Sequence, residues 1–527
     1  MLTNHDETVS SRSSSSERPA LPRAVLTDLI SALSPDRVVT EQAGVDEFKD
    51  PYWIPGDDTY VGSAVVFPTT VEEVQKVMRL ANRHGVPVWP HGQGRGGYGG
   101  PSPVVRGSIQ ISLRRMNRVL EINEDLAYAV VEPGVRWMDL YDAIEEGGHA
   151  LQLSITDLGW GSVIGNSMDN GVTYQPYGAD FQLLCGLEVV LPTGELVRTG
   201  MGAIPDNKAW HLYRRGLGPS FGEMFAQSNY GIVVKAGVWL QPKPEAYAPL
   251  LLTVPNEEDL EALIDSLRQL LLERTVTGIP AIMSTFTTLT TIFEAPAPPP
   301  ELIDDEGIRA LAGQYGIGAW SVRTALWGRR SIVDANLARI REVWETIPGA
   351  KVISHRIFAP HEYGEIDRET DKVQAGIPTM KLIESGQWPA SLGHAAFAPI
   401  VPLLGSEVRY VMDQIKLRFR ENGLNFIGGL FALNQRTACV VAGLTFDVND
   451  HEGASKAYAL AKQLVREVGE LGYGEFRAHV DFMDEAQDIY NWNDGAYRRL
   501  AETIKDAVDP NGILSPGRHG IWPAKQA

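Results

Sequence analysis

Cysteine is scarce in this chain: Cys185 and Cys439 are the only two in 527 residues. Their wide separation leaves no disulfide framework and no thiolate metal cluster, and points to a reducing cytoplasm. Cations are also in deficit, with 47 Lys and Arg against 66 Asp and Glu and a net charge of −19. Contacts to a polyanion need clustered cations, so nucleic acid is excluded as the main partner. No apolar run reaches the roughly eighteen residues that a membrane span needs. The opening MLTNHDETVSSRSSSSERPA has no apolar core of a secretion signal, so residues 1–20 read as a mobile tail and export is not expected. None of the 11 histidines falls in H-E-x-x-H or a repeated Cys/His pattern, and no G-x-S-x-G elbow appears. No metal is expected, and serine-hydrolase chemistry is unsupported.

At 44% hydrophobic and 21% charged residues, the composition is that of a soluble chain long enough for two or more cores. Its most informative stretch is Pro90–Gly100, PHGQGRGGYGG. Gly92, Gly94 and Gly97 match G-x-G-x-x-G after the apolar Val86-Pro87-Val88-Trp89, but Pro101 and Pro103 stand where a Rossmann helix would propagate. The glycines around Tyr98 therefore read as a backbone loop that approaches a ligand closely, its amides free to face phosphates.

Upstream, Gly62–Pro90 reads as strand, helix, strand: Thr70 and Glu73 have capping-box spacing, Val71, Val74, Val77, Met78 and Ala81 make one face, and Gly85 stops the helix. Strands are predicted at Ser108–Ser112 and Ala127–Glu132, a helix over Trp137–Glu146, and a hairpin about Pro192-Thr193-Gly194. After Gln241-Pro242-Lys243-Pro244 the texture changes to amphipathic helices, near 256–273, 335–346, 407–421 and 452–471, which sets a domain boundary near 245. VDPNGILSPGRHG is punctuated so that the chain end wraps back over another surface.

Five segments together carry a resemblance: GQGRGGYGG, DLGWGSVIGNSMDNGVTYQPYG (157–178), GLEVVLPTGELVRTGMGA (186–203), SLGHAAFAPI (391–400) and DAVDPNGILSPGRHGIWP (506–523). In this order they resemble the vanillyl-alcohol oxidase and 4-cresol dehydrogenase flavoproteins, with the bacterial eugenol oxidases as the nearest branch. The resemblance implies an α+β, two-domain PCMH-type FAD-binding fold with an α+β cap. Residues 21–245 plus 475–527 would bind FAD and 246–474 would form the cap. It further implies oxidation of para-substituted phenols, with hydride passing from the benzylic carbon to flavin N5 through a quinone methide. Dioxygen would reoxidise the flavin to give hydrogen peroxide, and a homodimer or larger homo-oligomer is expected. A dehydrogenase of 2-hydroxy acids on the same fold is the alternative.

Carried over residue by residue, His394 is the implied covalent anchor for the 8α position of FAD, although a lone His beside an apolar strand is more often structural. Tyr98 and Arg477 are implied to hold the phenolic oxygen, Arg477 also serving the reduced flavin; a packing Tyr and a surface Arg are the plainer readings. Asp157 is the implied acid/base near N5, or else simply a turn starter. The cofactor is implied to touch Pro90, Gly92, Gly94, Gly96, Gly97, Tyr98, Gly161, Ser162, Gly165, Asn166 and, at the chain end, Arg518. Tyr174, Phe476 and Ile427 are implied to line the substrate pocket. Two positions depart from the pattern: Phe476 stands where a second tyrosine donor is expected, with Tyr174 as a possible replacement, and Leu382 replaces a second carboxylate, Glu384 lying close by.

Overall fold

The computed structural model describes residues 19–176, 180–296, 301–354, 356–381 and 392–524. The first αβ unit follows the pattern of its sequence. Thr70 caps the helix Val71–His84 by accepting from the Glu73 amide at 3.3 Å, and Gly85 ends it with φ +63°. Val74, Val77, Met78 and Ala81 are buried on the expected face. The capping box is only half formed, because the Glu73 carboxylate turns to the Thr69 amide and to Arg37. This helix connects strands Ala64–Val66 and Val88–His91, which both pair parallel with Ile109–Ser112.

A second sheet is antiparallel and runs in the order Val119–Asn123, Tyr128–Val131, Ile232–Trp239, Leu184–Val190, Leu196–Arg198. Its last two strands form the expected hairpin, closed by the Gly194 amide on the Leu191 carbonyl at 2.8 Å. The helix Trp137–Glu146 buries Trp137, Leu140 and Ile144 in the same core as Ala129, Leu187 and Val238.

Among the described residues the largest sheet begins at Ala246 and has eight antiparallel strands, including Ala246–Val254, Trp320–Gly328, Ile427–Phe431, Thr437–Asp447 and Leu392–Phe397. Helices Leu260–Leu272, Arg330–Trp344, Gly405–Glu421 and His451–Glu470 match the helical expectations to within a few residues. Leu263, Trp344, Ile415 and Leu464 share one core with Leu252, Val322 and Val440 of the sheet. The strands themselves escaped the texture reading, since Ala246–Val254 is buried along its whole length and offers no polar alternation.

The chain end returns to the first sheet, where Val88 donates to the Ile513 carbonyl and Ser515 donates to the Val88 carbonyl, both at 2.8 Å. Behind this contact Lys505 and Asp509, both fully buried, pair at 2.7 Å. The Lys505 ammonium also donates to the Asn229 and Leu514 carbonyls, and the Asp509 carboxylate accepts the Ile513 and Leu514 amides. Among the described residues no helix is long and apolar enough to cross a membrane, and no His, Cys, Asp and Glu group could hold a metal.

Candidate functional site

The glycine loop leaves strand Val88–His91 and stays irregular through Gly100, with no helix following. Gly99 sits at φ +90°, and a Cβ there would lie 2.6 Å from Val480, so the loop packs backbone-first on the segment that carries Arg477. A Cβ on Gly97 would lie 3.3 Å from His394 Nε2, which puts the loop directly against that imidazole. The second loop comes alongside through shared anchors. Ser162 Oγ donates to the Pro133 carbonyl and Gln93 Nε2 to the adjoining Gly134 carbonyl, both at 2.6 Å. Ser162 also caps the short helix Val163–Met168 by accepting from the Gly165 amide.

His394 lies on strand Leu392–Phe397 opposite Thr445, its ring 4.9 Å from that of Tyr52. Burial pushes its pKa down, so the imidazole is neutral. Behind it, His479 Nε2 donates to Asp50 at 2.7 Å while its Nδ1 accepts from the Asp481 amide, a buried pair that sequence reasoning missed. Ile427 opens the strand Ile427–Phe431 and faces Gly443, which on its other side pairs with Ala396, so one strand separates Ile427 from the His394 strand.

The Arg477 guanidinium lies 4.5 Å over the Tyr98 ring and 5.2 Å from that of Phe476. Asp169 stands 3.6 Å from it and also meets Arg518 at 3.3 Å, so Arg518 joins the same charge cluster. Burial pushes the Tyr98 hydroxyl up to about 12 despite Arg477, which keeps it a hydrogen-bond donor at neutral pH. Phe476, Arg477 and His519 wall a cavity of about 570 Å³ that also reaches Tyr490 and Tyr497.

Asp157 is built into a second cluster. The Tyr174 hydroxyl donates to its Oδ2, and Arg323 Nη1 donates to its Oδ1 at 3.0 Å. Tyr174 therefore spends its proton on Asp157 and is not the spare donor that the missing tyrosine at 476 called for. Arg323 is absent from the sequence-based set, although a cation inside the apolar strand Trp320–Gly328 was a visible signal. Leu382 and Glu384 lie outside the described residues.

These loops fit a flavin dinucleotide. Asn166 Nδ2, Ser167 Oγ, Arg477 Nε and His519 Nε2 are buried with no hydrogen-bond partner among the described residues, a set of neutral and cationic groups suited to a polar, anionic cofactor. Gly92–Gly97 and Gly161–Asn166 would hold it, with His394 beside the loop.

Comparison with known proteins agrees. Residues 62–200 match the FAD-binding domain family model and residues 381–519 the C-terminal domain of FAD-linked oxidases. The chain is 34% identical over 466 residues to the flavoprotein subunit of 4-cresol dehydrogenase [hydroxylating] from Pseudomonas putida, covering 87% of this chain and 88% of that one. The solved 4-ethylphenol oxidase from Gulosibacter chungangensis, in complex with isoeugenol, superposes with a TM-score of 0.89 at 33% identity over 95% of this chain and 97% of its own. p-Cresol methylhydroxylase with substrate bound gives 0.88 at 31% identity, covering 95% and 96%. With its two-domain FAD-binding fold, the chain belongs to the vanillyl-alcohol oxidase and 4-cresol dehydrogenase family of FAD-linked, phenol-oxidising flavoproteins.

Proposed function

We propose that this protein oxidises 4-alkylphenols and 4-hydroxybenzyl alcohols at the benzylic carbon, with FAD tethered through its 8α position to His394 and dioxygen as the final acceptor, giving hydrogen peroxide. In this reading residues 21–245 with 475–527 hold the flavin, 246–474 cap it, and the protein works as a cytoplasmic homo-oligomer. The observation that carries the reading is Arg477: a buried guanidinium stacked on Tyr98, with an Nε that finds no hydrogen-bond partner among the described residues.

A benzylic C–H is a poor hydride donor until the para hydroxyl loses its proton. Arg477 stays charged at any working pH and lowers the phenol pKa by opposite charge, while the neutral Tyr98 hydroxyl donates to the same oxygen. The phenolate then pushes electron density through the ring, and loss of hydride leaves a para-quinone methide. Bound FAD supplies the two-electron acceptor. Asp157 stands ready to take a proton when water adds to the benzylic carbon. The neutral His394 keeps a nitrogen lone pair for the covalent link.

The test is anaerobic addition of 4-ethylphenol to the purified, flavin-loaded protein. Bleaching of the flavin is expected, with no response to lactate or 2-hydroxyglutarate. Bleaching by a hydroxy acid alone would overturn the reading. Peptide mapping of acid-denatured protein should find the flavin on the peptide carrying His394.

A further inference from the structure

We infer that Arg323 is a positioning residue that fixes Asp157 as a base in the step after hydride loss. Arg323 belongs to a central strand, opposite Leu251 on one side and Ala281 on the other, and its side chain is only 3% exposed against 33% for Asp157. Its guanidinium lies 4.2 Å over the Tyr174 ring, Nη1 donates to Asp157 Oδ1 at 3.0 Å, and Nη2 is pinned by the Thr370 carbonyl at 2.9 Å. Asp157 Oδ2 accepts from Tyr174. Both carboxylate oxygens are thus occupied by donors, and Arg323, having no acceptor, leaves no place for a carboxyl proton on its side. Each oxygen keeps a further lone pair for the open side of the site.

Among the described residues, the charged and titratable groups around Asp157 are Tyr174, Arg323 and, behind Arg323, Asp371 and Arg368. Burial pushes the Asp371 carboxyl up, and Arg368 and Arg323 hold it down. Tyr174 is raised well above its ordinary value by burial and by Asp157, so it remains a donor.

The step, which rests on the phenol-oxidising reading, is then balanced. Water oxygen bonds to the benzylic carbon of the quinone methide and one water proton passes to Asp157. The electron pair of the exocyclic double bond returns to the ring as the phenolate that Arg477 faces.

The experiment uses flavin-loaded enzyme and 4-ethylphenol under argon, following flavin bleaching and quinone methide decay by stopped flow. In Arg323→Met, bleaching persists, whereas decay slows by about tenfold to a hundredfold, the effect of a base no longer held in place. Arg323→Lys restores most of that rate, and in an Asp157→Asn background Arg323→Met adds nothing. A wild-type decay rate in Arg323→Met, or an equal extra loss in the Asp157→Asn background, overturns the inference. Should Arg323→Met not fold, Tyr174→Phe, which removes the other donor, must slow decay in the same way, and an unchanged decay rate overturns it equally. Wild-type enzyme that fails to bleach refutes the phenol reading instead, a separate outcome.

Discussion

Lys505→Met isolates what the chain end contributes to the cofactor loop. Lys505 and Asp509 are both fully buried, and the ammonium donates to Asp509, to the Asn229 carbonyl and to the Leu514 carbonyl at 2.6 to 2.7 Å. Met fills similar space but strands a buried carboxylate and two carbonyls. Breaking a buried pair from one side costs about 3 to 5 kcal/mol, and we take ~4 kcal/mol for the segment because Asp509 keeps its two backbone donors. That segment supplies the partners of Val88, so the loss should be read where it falls. Amide exchange at Val88 and Ser515 should accelerate by about a thousandfold, at roughly tenfold per 1.4 kcal/mol. Adding Asp509→Asn removes the stranded charge and should recover part of the protection. Exchange within tenfold of wild type at both amides, or a double variant no better than the single one, would refute the reasoning.

Arg477→Met should weaken phenol binding by about 1.5 to 3 kcal/mol, the worth of a hydrogen bond to a charged group, measured by anaerobic titration of the flavin spectrum; unchanged binding counts against the oxyanion role. Phe476→Tyr should tighten the same phenol by restoring a donor, and no change in binding or turnover would remove position 476 from the argument. Gly99→Ala forces a left-handed backbone on a residue whose Cβ would meet Val480, so the purified protein should carry less flavin per chain by absorbance. His91 and His519 are pushed down to about 3 by burial, below their unfolded value near 6.5. The unfolded chain therefore binds more protons below pH 6.5, and stability present above that pH is lost as pH falls toward 3, at about 1.4 kcal/mol per pH unit for each. Urea midpoints from pH 7 to 5 should decline less steeply in His519→Gln; parallel slopes would assign the decline to other groups.

The legible parts of the sequence were those where one local rule decides the outcome. Thr70, the Val74–Ala81 face and Gly85 specify a helix without tertiary help, and Pro101 and Pro103 forbid a helix after the glycine loop. The eight-stranded sheet was hidden because strands such as AYAPLLLTV are buried throughout and show no alternation. At the site, the Tyr98–Arg477 stack joins residues that the family resemblance implied, and so does the approach of Gly97 to His394. Arg323 and the Asp50–His479 pair were not visible in this way. Their partners are 166 and 429 residues away in sequence, and only the folded chain brings them together.

The hydrogen bonds from Val88 to the Ile513 carbonyl and from Ser515 to the Val88 carbonyl close the strand that feeds the glycine loop. Residues 505–515 must therefore be in place before the nucleotide cradle gains its last edge. A tag or truncation that disturbs 505–515 should yield colourless protein even though every loop glycine is intact.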